Sequence, residues 1–212
     1  MHRLKGLQAI LCDWSGVISD DRRPVYETGS RMMEHFGLER MTYETWLMEG
    51  IRASPRELFL ERGVSLDGDA IFALYAEMYP HVVETGLRPV MYPDAILFFK
   101  KASLSRNVIV ISAHPQKSLN AEVLAYKLNG EVSAFIGSVK DKSETIREVL
   151  LSLGMKLEDA AYVGDMTHDI HAARKAGVIA IAVSTGYHSR EKLEAEKPDI
   201  LVDSLTELAA HL

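Results

Sequence analysis

Short apolar runs recur along the chain and alternate with longer segments in which apolar residues return every three or four positions. Runs of this length are typical of strands that are buried on both faces of a parallel sheet. Strands that alternate with helices favour a parallel sheet with right-handed crossovers. The pattern therefore predicts an α/β fold built on a doubly wound parallel sheet. The predicted strands are Leu7–Cys12, Val108–Ile111, Phe135–Ile136, Ala160–Val163, Ile179–Val183 and Ile200–Val202.

The stretch after the first predicted strand, residues 17–88, has helical periodicity and no convincing strand. Within it, Ser54 and Glu57 form a capping-box pair that predicts the start of a helix. Apolar side chains at helical spacing in such a stretch usually form the core of a small bundle. We therefore predict a helical domain at residues 17–88, inserted into a core domain formed by residues 1–16 and 89–212.

Polar residues that suit phosphate chemistry follow three of the predicted strands. The carboxyl ends of parallel strands meet at one edge of a sheet, so these side chains are expected to face one crevice. Carboxylates are the ligands that Mg²⁺ prefers. An ammonium group neutralises a phosphoryl group, and an aspartate can attack phosphorus. The residues are Asp13, Ser112, Asp165 and Asp169, with Lys140 and Lys142 ahead of the fourth strand.

The composition narrows the possible classes of function. The formal net charge is -6, which argues against a nucleic-acid-binding surface. Cys12 is the only cysteine, so the chain can form neither an internal disulfide nor a cysteine-rich zinc site. No apolar run approaches the ~20 residues of a membrane span, and no basic leader with an apolar core opens the sequence. We expect a cytoplasmic protein without membrane contact, and both a monomer and a homodimer remain open.

Four motifs at predicted strand or helix ends resemble those of the haloacid dehalogenase-like hydrolase superfamily. The resemblance covers nearly the whole chain and implies a Rossmann-like core with a small α-helical cap at residues 17–88. The end of the chain, with Val183–Tyr187 and Lys197–Asp199, is similar to the phosphoglycolate phosphatase-like branch. The four motifs are Asp13–Gly16, the apolar run into Ser112, Lys142–Ile146 and Gly164–Asp169.

The resemblance implies a hydrolase that acts on a small phosphorylated metabolite with Mg²⁺ as its cofactor. Asp13 would be the nucleophile that forms an aspartyl-phosphate, and it would also bind the metal. The backbone carbonyl of Ser15 and the carboxylate of Asp165 would be further metal ligands. Asp169 would support the metal directly or through water.

The resemblance also suggests how the substrate is held. Lys142 would screen the charge between Asp13 and the phosphoryl group, with Lys140 as the competing candidate. His114 lies close to Ser112, either as a loop residue near the phosphate or as a replacement acid. The expected substrate-binding residues are Ser112, Ala113, Trp14 and Arg52. Arg52 lies in a predicted turn of the insertion, where a solvent-exposed arginine is an equally good interpretation.

One position departs from the pattern of the phosphatases in this superfamily. They carry a second aspartate two residues after the nucleophile, which protonates the leaving group and then activates water. Ser15 occupies that position here. General acid–base catalysis contributes roughly 10²–10⁴-fold. We therefore expect weak turnover of alkyl phosphates and a smaller penalty for acyl and aryl phosphates.

Three alternative functions follow from the absent aspartate. Phosphonoacetaldehyde hydrolase also lacks it, but that enzyme needs a cap lysine to form an imine, and no lysine occurs between Lys5 and Lys100. Arginine stays protonated and cannot replace it. Haloacid dehalogenase works without metal, whereas Asp165 and Asp169 suit Mg²⁺. The third alternative is a non-catalytic protein that binds phosphate ligands.

Overall fold

Six parallel strands form the main sheet, and the first strand of the chain lies inside it. The computed structural model describes residues 4, 6–51, 55–128 and 130–212. Its strands are β1 (Ala9–Cys12), β2 (Ser19–Asp20), β3 (Val90–Met91), β4 (Asn107–Ile111), β5 (Ala134–Ile136), β6 (Ala160–Gly164), β7 (Ile179–Val183) and β8 (Ile200–Val202). The order in the sheet is β5-β4-β1-β6-β7-β8. Because the chain winds outward from β1 first on one side and then on the other, the predicted doubly wound α/β fold is confirmed.

Helices connect the strands and also form most of the segment between β2 and β3. Trp46–Gly50 forms a π-helical turn, and Leu157–Asp159 forms a short 3₁₀ turn. The α-helices are α1 (Arg22–His35), α2 (Tyr43–Thr45), α3 (Pro55–Glu61), α4 (Gly68–Glu84), α5 (Ala95–Ala102), α6 (Gln116–Ala125), α7 (Lys142–Ser152), α8 (Thr167–Ala176), α9 (Arg190–Ala195) and α10 (Leu205–Ala210).

The apolar core has two layers, one on each face of the sheet. Successive strand residues point to opposite faces, so Ile10 and Cys12 of β1 pack with apolar residues of α5, α6 and α10. Ala9 and Leu11 pack on the other face with residues of α7, α8 and α9. Burial on both faces explains why the inner strands β1, β4, β6 and β7 are almost entirely apolar and do not alternate.

The chain divides into two compact units, Met1–Asp20 with Met91–Leu212, and Asp21–Val90. The first unit contains the six-stranded sheet. In the second unit, α1 packs on α4 and α3 packs on α4. Its buried apolar residues include Met32, Met33, Phe59, Ile71, Tyr79 and Val82.

The expectation that residues 17–88 contain no strand is wrong at β2, which pairs with β3. Each of these strands has only two residues, which is too short to produce a periodic pattern. None of the helices in the described parts of the chain combines the length and apolar character needed to cross a bilayer.

Candidate functional site

The register of the sheet brings three polar strand-end residues to one edge. Cys12 is aligned with Val110 of β4 and with Val163 of β6. Asp13 follows Cys12, and its backbone N–H donates to the carbonyl of Val163 at 2.9 Å. Ser112 and Asp165 each lie two residues beyond the aligned position on their own strands. Asp13 and Asp165 therefore emerge side by side next to the point where the winding of the chain reverses, with Ser112 at the same edge.

The side chain of Lys142 joins two carboxylates in this region. Lys142 is the first residue of α7, and its Nζ donates to Asp13 Oδ2 at 2.5 Å and to Asp169 Oδ1 at 2.7 Å. All three side chains are buried. Burial alone would lower the pKa of Lys142, but the charges and hydrogen bonds of Asp13 and Asp169 raise it above its ordinary value. Lys140, the competing candidate, is exposed.

Three buried carboxylates form a group that we call the aspartate cluster: Asp13, Asp165 and Asp169. One oxygen from each lies within 4.8 Å of the others. Two oxygens on opposite sides of one Mg²⁺ lie about 4.2 Å apart, so the limit of 4.8 Å is close to the size of an ion site and slightly wider. Asp165 Oδ2 accepts the backbone N–H of Tyr187 at 2.7 Å. Its Oδ1 is buried and has no hydrogen-bond partner among the described residues.

The negative charge of the aspartate cluster is only partly balanced. Burial, followed by the charges of Asp169 and Asp13, raises the pKa of Asp165 well above its ordinary value. Burial opposes ionisation of Asp169 as well, but the Lys142 ammonium and its hydrogen bond hold the pKa of Asp169 below its ordinary value. One lysine thus faces three carboxylates, and a divalent cation would supply the missing positive charge. The donor set and the unpaired oxygen of Asp165 fit Mg²⁺.

Two glycines leave the space in which the Asp165 carboxylate lies. A Cβ atom at Gly16 would lie 2.1 Å from Asp165 Oδ2, and one at Gly186 would lie 2.0 Å from it. Gly16 also has a φ of +75°, a conformation that side chains with a Cβ rarely adopt. Both positions therefore require glycine. Gly16 belongs to a motif recognised in the sequence, whereas no pattern in the sequence links Gly186 to the carboxylate.

Trp14 places its side chain in the core of the first unit and not at an open surface. Its indole stacks on Tyr126, meets Phe135 edge to face and donates from Nε1 to Glu122 at 2.7 Å. The indole is fully buried, so a substrate-binding role of Trp14 would rest on its backbone, and that role stays a prediction. Sequence reasoning missed Glu122, since it lies on α6 among ordinary helix residues.

The remaining predicted residues lie at the edge of the sheet or outside the described chain. Ser112 is buried, and its Oγ accepts the backbone N–H of His114 at 3.3 Å. Ala113 is exposed beside it, and Ser15 is half-buried. The ring of His114 is buried, and its Nε2 lies 3.0 Å from Glu122. Arg52 falls outside the described residues.

Known proteins resemble the chain in sequence and in fold. The family model described as HAD-hydrolase-like matches residues 139–208, which include Lys142, Asp165 and Asp169. A phosphoglycolate phosphatase of Synechococcus elongatus is 23% identical over 216 residues, covering 95% of each chain. Pyrophosphatase PpaX of Bacillus cereus is 41% identical over 70 residues, and that match spans 33% of this chain and 32% of PpaX.

The fold comparison extends over nearly the whole length. A haloacid dehalogenase-like family hydrolase of Streptococcus pneumoniae superposes with a TM-score of 0.80 at 17% identity, covering 98% of this chain and 99% of the other. The family model over residues 139–208, the full-length relative and the fold all support a relationship of the chain to the haloacid dehalogenase-like hydrolases.

Proposed function

We propose that the chain is a Mg²⁺-dependent phosphatase that acts on a small phosphorylated metabolite through an aspartyl-phosphate at Asp13. The observation that carries the proposal is the contact of the Lys142 ammonium with both Asp13 and Asp169, inside a carboxylate group whose third member, Asp165, keeps a buried oxygen unpaired. The phosphoglycolate phosphatase and pyrophosphatase among the relatives act on phosphorylated compounds of this kind.

The reaction would proceed in two displacements at phosphorus. A carboxylate oxygen of Asp13 attacks, the bond from phosphorus to the leaving oxygen breaks, and that oxygen takes a proton from solvent. Water then attacks the phosphorus of the acyl phosphate, which releases inorganic phosphate and regenerates the Asp13 carboxylate. Bound Mg²⁺, held by Asp13, Asp165, Asp169 and the carbonyl of Ser15, would neutralise charge on the phosphoryl oxygens.

The contacts of Asp13 support its assignment as the nucleophile. Its Oδ1 accepts the backbone N–H of Trp14 at 2.7 Å, and its Oδ2 accepts from Lys142. A carboxylate held at both oxygens is oriented before the substrate arrives, which lowers the entropic cost of attack. The hydroxyl of Ser112 and the backbone of Ala113, an exposed residue, lie at the same edge of the sheet and would hold the phosphoryl oxygens.

Ser15 defines the class of substrate that we propose. A serine hydroxyl is a poor acid near neutral pH, so a leaving group that needs a proton from the enzyme would leave slowly. Aryl and acyl phosphates release oxygens of lower basicity and depend less on this proton. We propose them as the better substrates, with the helical unit Asp21–Val90 acting as the cap that determines which metabolite is accepted.

A phosphate-release panel tests the proposal directly. Alkyl, aryl and acyl phosphates and phosphonoacetaldehyde are incubated with the purified chain, with Mg²⁺ and with a chelator. We expect release from aryl and acyl phosphates that needs Mg²⁺ and is lost in Asp13→Asn. Turnover of phosphonoacetaldehyde alone would support the phosphonatase alternative. Mg²⁺ binding without turnover of any compound would support the non-catalytic alternative.

Restoring the absent carboxylate tests the role of Ser15. Ser15→Asp should raise the rate on an alkyl phosphate by up to about 10²-fold, the lower end of the range for acid–base catalysis. The rate on an aryl phosphate should change much less, because its leaving group needs less protonation. The ratio of the two rates measures the effect without reference to total active enzyme. An unchanged ratio would contradict the explanation based on the leaving group.

A further inference from the structure

We infer that Glu122 is a positioning residue that fixes the distance between Asp13, the proposed nucleophile, and residues 112–114. We call these three residues the phosphate-binding loop, because the proposed function assigns Ser112 and Ala113 to the phosphoryl oxygens. The inference rests on the proposed function and adds to it a residue outside the sequence motifs. Glu122 lies on α6, and its side chain is 9% exposed. Its two carboxylate oxygens contact residues from two different loops. We call these contacts, together with Ser19, the Glu122 network.

The first contact leads to the nucleophile. Glu122 Oε2 accepts the indole N–H of Trp14 at 2.7 Å. The backbone N–H of the same Trp14 donates to Asp13 Oδ1 at 2.7 Å. The carbonyl of Trp14 accepts the backbone N–H groups of Ile18 and Ser19 at 2.8 and 2.9 Å, which closes a tight turn. Anchoring the indole therefore anchors both the turn and the peptide group that orients the attacking carboxylate.

The second contact leads to the phosphate-binding loop. Glu122 Oε1 lies 3.0 Å from Nε2 of His114. The backbone N–H of His114 donates to the hydroxyl of Ser112 at 3.3 Å. Because Ala113 lies between these two residues, an anchored His114 ring also limits where the Ala113 peptide can move. Each oxygen of Glu122 thus reaches, within two residues, a group that acts on the phosphoryl centre.

The burial of Glu122 makes these contacts stiff. A buried carboxylate is costly unless donors satisfy it, and hydrogen bonds to a charged group are about twice as strong as neutral ones. Ser19 Oγ supplies a further donor to Oε2 at 3.3 Å and also contacts the hydroxyl of Tyr126 at 2.7 Å. An apolar residue at position 122 would leave the Trp14 indole N–H buried without an acceptor. The two loops would then move independently.

The consequence for catalysis follows from the geometry of attack. In-line displacement needs the nucleophile and the bound phosphoryl group at a fixed separation, and a misplacement of about 1 Å can cost 10²-fold in rate. The loss should affect kcat more than KM, because each loop keeps its own groups and only their relative position changes. A residue that served packing alone would change the folded fraction and leave kcat per folded molecule unaltered.

Two variants of Glu122 and a matched control test the inference. Glu122→Leu removes both acceptors. Glu122→Gln keeps the shape, because its carbonyl can accept from Trp14 while its amide donates to the other tautomer of His114. Glu148→Leu makes the same replacement at an exposed glutamate of α7. Steady-state kinetics on p-nitrophenyl phosphate with Mg²⁺ give kcat and KM, and thermal unfolding gives the folded fraction.

We expect Glu122→Leu to lower kcat by about 10–100-fold while KM changes less, Glu122→Gln to restore most of kcat, and Glu148→Leu to match the parent chain. If Glu122→Leu does not fold, Trp14→Phe removes the indole donor together with part of the buried ring, and it should lower kcat in the same way. An unchanged kcat per folded molecule, or equal losses in the Leu and Gln variants, would overturn the positioning role. A parent chain that hydrolyses no phosphate would instead overturn the proposed function, and the inference with it.

Discussion

The Glu122 network and the aspartate cluster both contain buried carboxylates close to the same edge of the sheet. They differ in how many of their carboxylate oxygens have hydrogen-bond partners. In the Glu122 network both oxygens of a single carboxylate have partners, because Oε2 accepts from Trp14 and Ser19 and Oε1 lies 3.0 Å from Nε2 of His114. In the aspartate cluster the Lys142 ammonium donates to Asp13 and Asp169, and a buried oxygen of the third carboxylate, that of Asp165, has no partner among the described residues. Both groups are removed from water, but among the described residues only the first has a partner for each carboxylate oxygen.

This difference indicates that the buried charge of Glu122 has a structural role, whereas the buried charges of the aspartate cluster suit the binding of a cation. A satisfied carboxylate holds its neighbours in place and needs nothing further. An under-compensated group carries excess negative charge in a medium of low dielectric, and this raises the free energy of the folded chain until a cation binds. Removing a negative carboxylate charge should therefore have opposite effects on the stability of the folded chain. It should lower stability in the Glu122 network and raise stability in the aspartate cluster when no metal is bound.

The largest expected effect is the removal of the Lys142 ammonium, which contacts the aspartate cluster. Lys142→Met keeps most of the volume and leaves Asp13 and Asp169 without their shared donor. Breaking a buried ion pair from one side costs about 3–5 kcal/mol. We expect the free energy of unfolding in chelator, measured by urea denaturation, to fall by about that amount. Phosphatase activity should be lost as well.

A matched control for that variant is Lys156→Met. Lys156 lies on the surface, where its ammonium is 3.8 Å from Glu158 and its side chain is 75% exposed. Exposed pairs contribute about 0–1 kcal/mol, so this variant should stay close to the parent chain. A Lys142→Met variant as stable as Lys156→Met would show that the ammonium does not compensate the buried carboxylates.

The next effect has the opposite sign. Asp165→Asn removes a carboxylate whose pKa is raised by burial and by the neighbouring Asp169 and Asp13, while its amide oxygen can still accept the N–H of Tyr187. We expect the variant to be more stable than the parent chain in chelator. Each kcal/mol would raise Tm by about 2–4 °C in a chain of this length. Thermal unfolding followed by circular dichroism measures the change.

Mg²⁺ should reverse the order of stability of the parent chain and Asp165→Asn. A ligand at 100 times its Kd stabilises the folded state by about 2.7 kcal/mol, and only the parent chain should gain this stabilisation. Asp159→Asn provides the control, because Asp159 is a half-buried aspartate outside the aspartate cluster, and its carboxylate accepts from the Gln8 side chain. If Asp165→Asn is less stable than the parent chain when both are measured in chelator, the result would show that the charge of the aspartate cluster is already balanced without a metal ion.

Much of the aspartate cluster could be predicted from the sequence because strand ends are local signals. Asp13, Asp165 and Ser112 each follow a buried apolar run, and parallel pairing then brings them to one edge without further information. Lys142 could not be distinguished from Lys140 by pattern alone. The choice depends on where α7 begins, which Asp141 determines through its side chain, and helix ends are poorly specified by periodicity.

The Glu122 network could not be predicted for a physical reason. Trp14 and Glu122 are 108 positions apart, and nothing in α6 distinguishes a buried glutamate from a solvated one. The same limit applies to Gly186. Only the structure shows that a Cβ atom at this position would clash with the carboxylate of Asp165. Contacts between loops and helices depend on how these elements pack in space. The polar residues at strand ends, in contrast, can be identified because each directly follows an apolar run in the sequence. Positioning residues are therefore the part of such a site that a single sequence hides.

The smallest expected effect concerns an exposed carboxylate, which provides a reference for the two buried groups. Asp141 is the N-cap of α7 and accepts from the backbone N–H groups of Ser143 and Glu144 at 2.9 and 3.2 Å. Asp141→Ala should cost about 0.5–2 kcal/mol at neutral pH, measured by urea denaturation. Asp141→Asn should cost less, because asparagine caps a helix and loses only the exposed ion pair with Lys175.

The pH dependence of that cost has a definite sign. Hydrogen bonds from Ser143, and then the ion pair with Lys175, hold the pKa of Asp141 below its ordinary value. The folded state therefore favours the ionised form, and the stabilisation is present above the unfolded pKa of about 4. It is lost as pH falls through the lower pKa of the folded state. The difference in unfolding free energy between the parent chain and Asp141→Ala should shrink below pH ~4, whereas a difference that grew with acid would contradict capping by the ionised carboxylate.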